Sequence, residues 1–466
     1  MRLYGWSKPA QKNILLIVVL GTMGCGQEAK WEKKGETEML SHIEQALDQV
    51  ARAWYPRVVD TLQGGFWTNF AHDWEKKEEK NKMLVTQARH IWTASTLAAF
   101  YRDNDYLDIA AHGYDFLKNH MWDTQNGGFS TIVKKQGHGM VPVSRTKSVY
   151  ANAFAIYGLA TYYGISKDVG ALELAQKTFQ WLETHAHDPE HLGYFDILAQ
   201  DGSWLWGAAG EGYLGEDIVR SNWKDQNSSI HLLECYTALY EVWPDPLLKQ
   251  RLEEMLILIR DTICTEKGTL TLHLERDWTP VSLKDSTATF REENFWLDHV
   301  SFGHDVETAF LMLEAQHVLG QKDNITLMKT KRMLDYALEW GWDKGTGGFF
   351  EGGYDWGEPH ERSIPSKAKV WWTQAEGLNT LVLFSKLFPQ ETRYGKKAAE
   401  QWKHIDSFLI DHEYGGWFHE GLDTDPEARH AQKAHRWKVN YHVVRALVNT
   451  IQMLKGEFPL LEDAKH

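Results

Sequence analysis

The chain has 466 residues, with 50 Lys and Arg against 64 Asp and Glu, a formal charge of −14. It lacks the Lys/Arg footprint that nucleic acid requires, and Cys25, Cys235 and Cys264 are too few for a disulfide framework or a Cys-rich zinc site. At 43% hydrophobic and 24% charged it is ordinary globular protein, but its 22 Trp are an excess that suits either core packing or the apolar faces of sugars.

At the N-terminus, Lys8 and Lys12 precede the apolar run Ile14–Leu20, followed by Gly21-Thr22-Met23-Gly24-Cys25. A positive start, a short apolar run and small residues predict an export signal over 1–25. The run is too short to span a bilayer, which takes ~20 residues. The Gly-Cys ending is of lipoprotein type, with Cys25 as the lipidated first residue, although Thr22 stands where that pattern favours Leu. Residues 26–37 then form a polar tether. The expected location is periplasmic or membrane-anchored through lipid alone, and cytoplasmic if the segment is not a working signal.

From residue 38 to 460 the chain reads as one domain. A turn phrase recurs at Asp60, Asp123, Asp188, Asp343 and Asp411, each followed by Gly and an aromatic, as in Asp123-Thr-Gln-Asn-Gly127-Gly128-Phe129. The long gap after Asp188 has room for a degenerate copy at Cys264–Gly268. Six copies of this length predict six supersecondary units. Ala151–Tyr163, Ile230–Val242, Asp305–Leu319 and Val370–Leu387 carry apolar residues at helical spacing. Each unit is therefore a helical hairpin, with Gly accommodating the turn at a helix end. Six hairpins predict an all-α (α/α)6 barrel, a linear solenoid being the alternative.

Polar groups interrupt these apolar helices in a pattern. Arg89 lies between Ala88 and His90-Ile91-Trp92, and reads equally as a salt-bridged core residue or as a guanidinium aimed at ligand oxygens. Asn227, His231 and Glu234 share one helical stripe. His304 and Glu307 are three apart, a spacing at which a carboxylate holds an imidazole. His442 and Arg445 repeat that spacing near the C-terminus. A single such histidine usually belongs to the core; three at helix starts in different hairpins would converge if the ring closes. No His-Glu-x-x-His or Gly-x-Ser-x-Gly accompanies them, so neither a metal site nor a serine hydrolase is indicated. Asp305, Glu307 and Glu376 leave a glycosidase possible.

Five phrases in order, Gln87-Ala88-Arg89, Asn227–Glu234, Ser301–Glu307, Trp371–Glu376 and Trp437–His442, make the chain resemble the N-acylglucosamine 2-epimerase superfamily, most closely its cellobiose 2-epimerase branch. Phe302-Gly303 before His304 follows that branch; Asn440 departs from it, standing where Pro is expected. The resemblance implies an (α/α)6 barrel and a cofactor-free inversion at C2 of a reducing-end sugar, through an enediolate. It implies His304 and His442 as the acid/base pair, His231 and Arg89 as oxyanion stabilisers, and Asn227 orienting the reacting carbons. Glu307 would tune His304, Glu376 would buttress the pocket, Tyr150 would add a hydroxyl, and Trp371, Trp372 and Trp437 would stack on sugar rings. The implied partner is a β-1,4-linked disaccharide, with no metal, no nucleic acid and a monomeric protein. Rival readings are an aldose–ketose isomerase, an N-acylglucosamine 2-epimerase, a non-catalytic carbohydrate-binding protein and a glycoside hydrolase.

Overall fold

A computed structural model describes residues 21–78, 81–137, 139–205, 223–357 and 361–461, with side chains of the first helix described from residue 35. The expected signal over 1–25 lies outside these residues up to 20, and the side chain of Cys25 lies outside them too. Helix α1 runs Gly21–Trp54 and so contains residues 26–37.

Helices α2 (Leu84–Tyr101), α4 (Val149–Ser166), α6 (Gln226–Val242), α9 (Phe302–Val318), α11 (Trp371–Leu387) and α13 (Tyr441–Lys455) form the inner ring. Each packs on the next, and α13 returns to α2, so the ring is closed and the solenoid is excluded. Outside it, α1 packs on α13, α3 (Asn104–Phe116) on α2, α5 (Val169–His185) on α4, α7 (Pro246–Leu258) on α6, α10 (Asn324–Trp340) on α9 and α12 (Arg393–Phe408) on α11. This is an (α/α)6 barrel. The two rings differ as their sequences require. Inner helix α4 is buried on nearly every side, whereas outer helix α12 buries one stripe, Tyr394, Ala398, Gln401, Trp402, His404 and Ile405.

The repeated turn links each outer helix to the next inner one. Asp60 N donates to Gly65 O and Gly64 N donates to Asp60 O, both at 2.9 Å, and the same closure recurs at Asp123, Asp343 and Asp411. Gly64 and Gly65 adopt φ of 82° and 67°, and a Cβ on Gly65 would collide with Gln87 and the Phe116 ring. The next inner helix then hooks the turn: Gln87, Asn152 and Gln374 accept the N–H of Phe66, Phe129 and Phe349 at 2.7, 2.8 and 2.9 Å. In the degenerate repeat Asp305 performs this task for Leu270 N at 2.9 Å.

A second device was hidden from the repeat pattern. Lys82, Lys147, Lys224, Lys369 and Lys433 each reach back to the turn Asp, pairing Asp60, Asp123, Asp188, Asp343 and Asp411. Lys82 and Asp60 are 2.7 Å apart with side chains 5% and 0% exposed. Asp60→Asn keeps the turn but leaves Lys82 without its counter-charge. It is expected to cost about 3–5 kcal/mol, read by chemical denaturation.

Candidate active site

Because the turns hold the inner helices in register, six inner-helix N-termini meet at one end of the barrel. They carry Arg89 (α2), Tyr150 (α4), Asn227 and His231 (α6), His304 and Glu307 (α9), Trp372 and Glu376 (α11) and His442 (α13). The positive ends of the helix dipoles add a field that favours negative charge there.

The three histidines are each oriented through Nδ1. His442 Nδ1 lies 2.8 Å from Glu376 Oε1, His231 Nδ1 lies 2.8 Å from Glu234 Oε2, and His304 Nδ1 lies 2.9 Å from Ser301 Oγ. A carboxylate can only accept, so His442 and His231 carry hydrogen on Nδ1 and keep Nε2 for other chemistry. Trp372 joins two of them: its ring centroid is 4.8 Å from that of His304 and 5.7 Å from that of His442. Burial lowers the His304 pKa to about 4 and drives that of His442 well below its ordinary value. Both imidazoles are therefore neutral at neutral pH, the form that accepts a proton.

Arg89 donates from Nη2 to the Tyr150 hydroxyl at 2.8 Å and from Nη1 to the Trp437 carbonyl at 3.4 Å. Its guanidinium lies over Phe154 at 4.3 Å, and Tyr150 meets the His231 ring edge-on at 5.2 Å. Burial raises the Tyr150 phenol to about 12, against the pull of Arg89, so it stays a neutral donor.

Beneath the histidines sits Arg445. It donates to Glu234, Glu307 and Glu376, with Nη2 to Glu376 Oε1 at 2.6 Å and Nη1 to the Tyr441 hydroxyl at 2.6 Å. Burial alone would lower the Arg445 pKa, but Glu376, Glu234 and Glu307 outweigh it and hold the guanidinium charged. Burial would likewise raise Glu234, yet Arg445 and His231 keep it down at about 2. Glu307, Glu376 and His442 offer ligand atoms within 4.8 Å of one another, a spacing a metal ion would accept. The guanidinium already supplies the positive charge to both carboxylates there. Arg445 engages Oε1 of both Glu307 and Glu376, and Asp305 Oδ1 accepts from the turn at Leu270 N.

Several expectations are redrawn. Glu307 raises the His304 pKa against burial through its charge rather than a hydrogen bond: it faces Arg445 and lies 3.6 Å from His442 Nδ1, while Ser301 holds His304. Glu376 does more than buttress, since it fixes the His442 tautomer. Trp371 packs against His419 and His435, with centroids at 4.7 and 6.0 Å, so the stacking surface beside the histidines is Trp372. Trp437 enters through its carbonyl, and Asn227 Oδ1 is buried without a partner among the described residues. Ser301, Tyr441 and the hub role of Arg445 went unread. The i, i+4 spacing of Tyr441 and Arg445 was the available signal.

The N-acylglucosamine 2-epimerase family model matches residues 64–446. A cellobiose 2-epimerase of Bacteroides fragilis is 28% identical over 413 residues, covering 85% of this chain and 94% of the relative. A D-mannose isomerase of Thermobifida fusca is 25% identical, covering 67% of this chain and 70% of the relative. Among solved structures, cellobiose 2-epimerase from Spirochaeta thermophila superposes with a TM-score of 0.75 at 27% identity, covering 90% of this chain and 98% of that one. With a closed six-hairpin barrel and a family match over most of its length, the chain belongs to the N-acylglucosamine 2-epimerase family, as an isomerase-class carbohydrate epimerase.

Proposed function

We propose that the protein inverts C2 of the reducing-end sugar of a β-1,4-linked disaccharide, converting cellobiose to glucosyl-mannose or mannobiose to mannosyl-glucose. The observation that supports this reading is the meeting of His304 and His442 at one indole, with ring centroids 4.8 and 5.7 Å from that of Trp372. In the open-chain sugar the C1 aldehyde acidifies the C2 hydrogen. One imidazole takes that proton at Nε2; the second, once it has picked up a proton from solvent beside the newly formed enediolate charge, returns that proton to the other face, and the first releases its own to solvent. Arg89 and the converging helix N-termini stabilise the enediolate oxygen, joined by His231 when its Nε2 is protonated as well. Trp372 supplies a flat surface for the reacting sugar, and Asn227 Oδ1 an acceptor for a hydroxyl. Export of the chain through residues 1–25 is part of the proposal and places the substrate outside the cytoplasm.

Incubation with cellobiose, mannobiose, glucose and mannose, followed by chromatography, tests the reading. A 2-epimer of either disaccharide supports it. A ketose product would instead favour the isomerase outcome, which shares the enediolate but receives its proton at C1. Free monosaccharides from cellobiose would mark a hydrolase.

The pH dependence follows from the lowered imidazoles. The neutral form acts as base, so kcat/KM is expected to stay level from pH 8 to 6.5 and to fall only as the pH approaches the His304 value of about 4. Stability moves in the same sense. The unfolded chain binds the His304 proton near 6.5 and the folded chain near 4, so that contribution is present above 6.5 and is lost as pH falls towards 4. A pH–rate profile together with urea melts across this window checks both.

A further inference from the structure

Shortly before α13 the chain makes a two-residue turn at Arg436-Trp437. Lys438 N donates to the His435 carbonyl at 2.9 Å and His435 N to the Lys438 carbonyl at 3.3 Å. Helix α2 holds both carbonyls of the turn: that of Arg436 accepts from the Thr86 hydroxyl at 2.7 Å, and that of Trp437 from Arg89 Nη1 at 3.4 Å. The Trp437 carbonyl and the Tyr150 hydroxyl are the two hydrogen-bond partners of the Arg89 guanidinium among the described residues, and its Nε is buried without one.

A histidine pair supports this turn from below. Trp437 N lies 3.3 Å from His435 Nδ1, and His435 Nε2 lies 3.2 Å from His419 Nδ1. A backbone N–H can only donate, so His435 Nδ1 is the acceptor and its hydrogen sits on Nε2, directed at His419. Burial, with His419, Lys438 and Arg436 beside it, lowers the His435 pKa to about 3, and burial with Lys438 lowers that of His419 to about 4. Both rings are thus neutral, as this chain of bonds requires. The pair is fixed in turn by Trp371, the first residue of α11. Its N–H donates to the His419 carbonyl at 3.1 Å, and its indole lies 4.7 Å from the His419 ring and edge-on to His435 at 6.0 Å.

The Arg436–Trp437 peptide is therefore gripped at both ends, its carbonyl by Thr86 and its N–H by His435. A peptide is planar, so holding both ends stops it from rotating and sets where the next carbonyl, that of Trp437, points. We propose that His435 is a positioning residue for the reaction: by accepting the Trp437 N–H it fixes the Trp437 carbonyl, and through it the Arg89 guanidinium beside the forming enediolate oxygen. A donor stabilises such an oxygen most when it need not reorient as the charge develops. With the Trp437 carbonyl displaced, Arg89 would keep only its bond to Tyr150 and could swing about it. The inference rests on the reading of Arg89 as an oxyanion stabiliser and adds what holds it in place.

The test compares His435→Ala with His435→Asn in the full chain. An Asn carbonyl accepts the N–H two residues on, as His435 Nδ1 does, but offers nothing in place of Nε2–H. His435→Ala is expected to lower kcat for cellobiose about ten- to hundredfold, with KM within about threefold, because a misplaced donor costs the transition state more than the bound sugar. His435→Asn is expected to restore kcat to within about threefold of the native chain. Equal losses in the two variants would overturn the proposal. Isotope-labelled arginine reads position without turnover: the Arg89 Nε–H resonance, identified by its absence in Arg89→Lys, is expected to shift in His435→Ala and to keep its native place in His435→Asn. If the native chain epimerises neither cellobiose nor mannobiose while the resonance behaves in this way, the substrate reading fails and the positioning stands. A resonance unmoved by His435→Ala overturns the positioning whatever the activity.

Discussion

Replacing His442 by Ala is expected to lower kcat/KM by ~10²–10⁴-fold, the usual worth of a positioned acid or base. The nature of the residual activity matters more than its size. On the proposed assignment of one imidazole to each face of the intermediate, losing one stops inversion but leaves the other able to remove and return the C2 proton on its own side. His442→Ala and His304→Ala are each expected to exchange the C2 hydrogen with D2O in one epimer only, and in opposite epimers. Glu376→Gln separates orientation from chemistry: it weakens the hold on His442 Nδ1, at 2.8 Å, without removing the imidazole. If both histidine variants exchange the same epimer, the two-face assignment fails.

The largest effect on stability is expected at Arg445. Glu234, Glu307 and Glu376 are at most 2% exposed, and all three face this one guanidinium. Arg445→Met removes the cation and leaves three carboxylates crowded in the barrel axis. Breaking a buried charge cluster from one side costs about 3–5 kcal/mol, and here more than one acid must take up a proton or water. The acid side of the stability curve is expected to change with it. In the native chain Glu234 contributes stability that is in place above 4.5 and lost as the pH falls towards about 2. Without Arg445 that contribution shrinks, so the variant is expected to be less stable near neutrality and less sensitive to acid. Urea midpoints at pH 7 and pH 3 read both changes. A midpoint shift at pH 7 within the error of a surface substitution would show that the hub is not structural.

Much of this molecule was legible before folding because its repeats are local. The Asp–Gly–aromatic turns and the apolar periodicity of 151–163 or 305–319 are written within a few residues of one another. Ring closure was inferred from the number of units, and the contact of α13 with α2 supplies it. What stayed hidden depends on residues far apart in the chain. Lys82 and Asp60, 22 positions apart, look like ordinary surface charges until the turn is built around them. Arg445 was visible beside His442 on one helix face, but its three carboxylates come from α6, α9 and α11. The His304–Glu307 spacing suggested a pair, yet on the folded helix the carboxylate turns to Arg445 and the hydroxyl of Ser301, three residues before His304, takes its place. Helical spacing brings side chains to one face; it does not choose among the partners that other helices bring to that face.

The central claim is that C2 is inverted by proton transfer through a buried imidazole pair. Proton NMR of cellobiose incubated with the full chain in D2O tests it most directly. The expected result is a reducing-end mannose signal that grows with deuterium at C2 of the epimer, and that is absent with His442→Ala. Epimer that keeps its original C2 hydrogen would contradict the account, because it would mean inversion without proton exchange through these histidines.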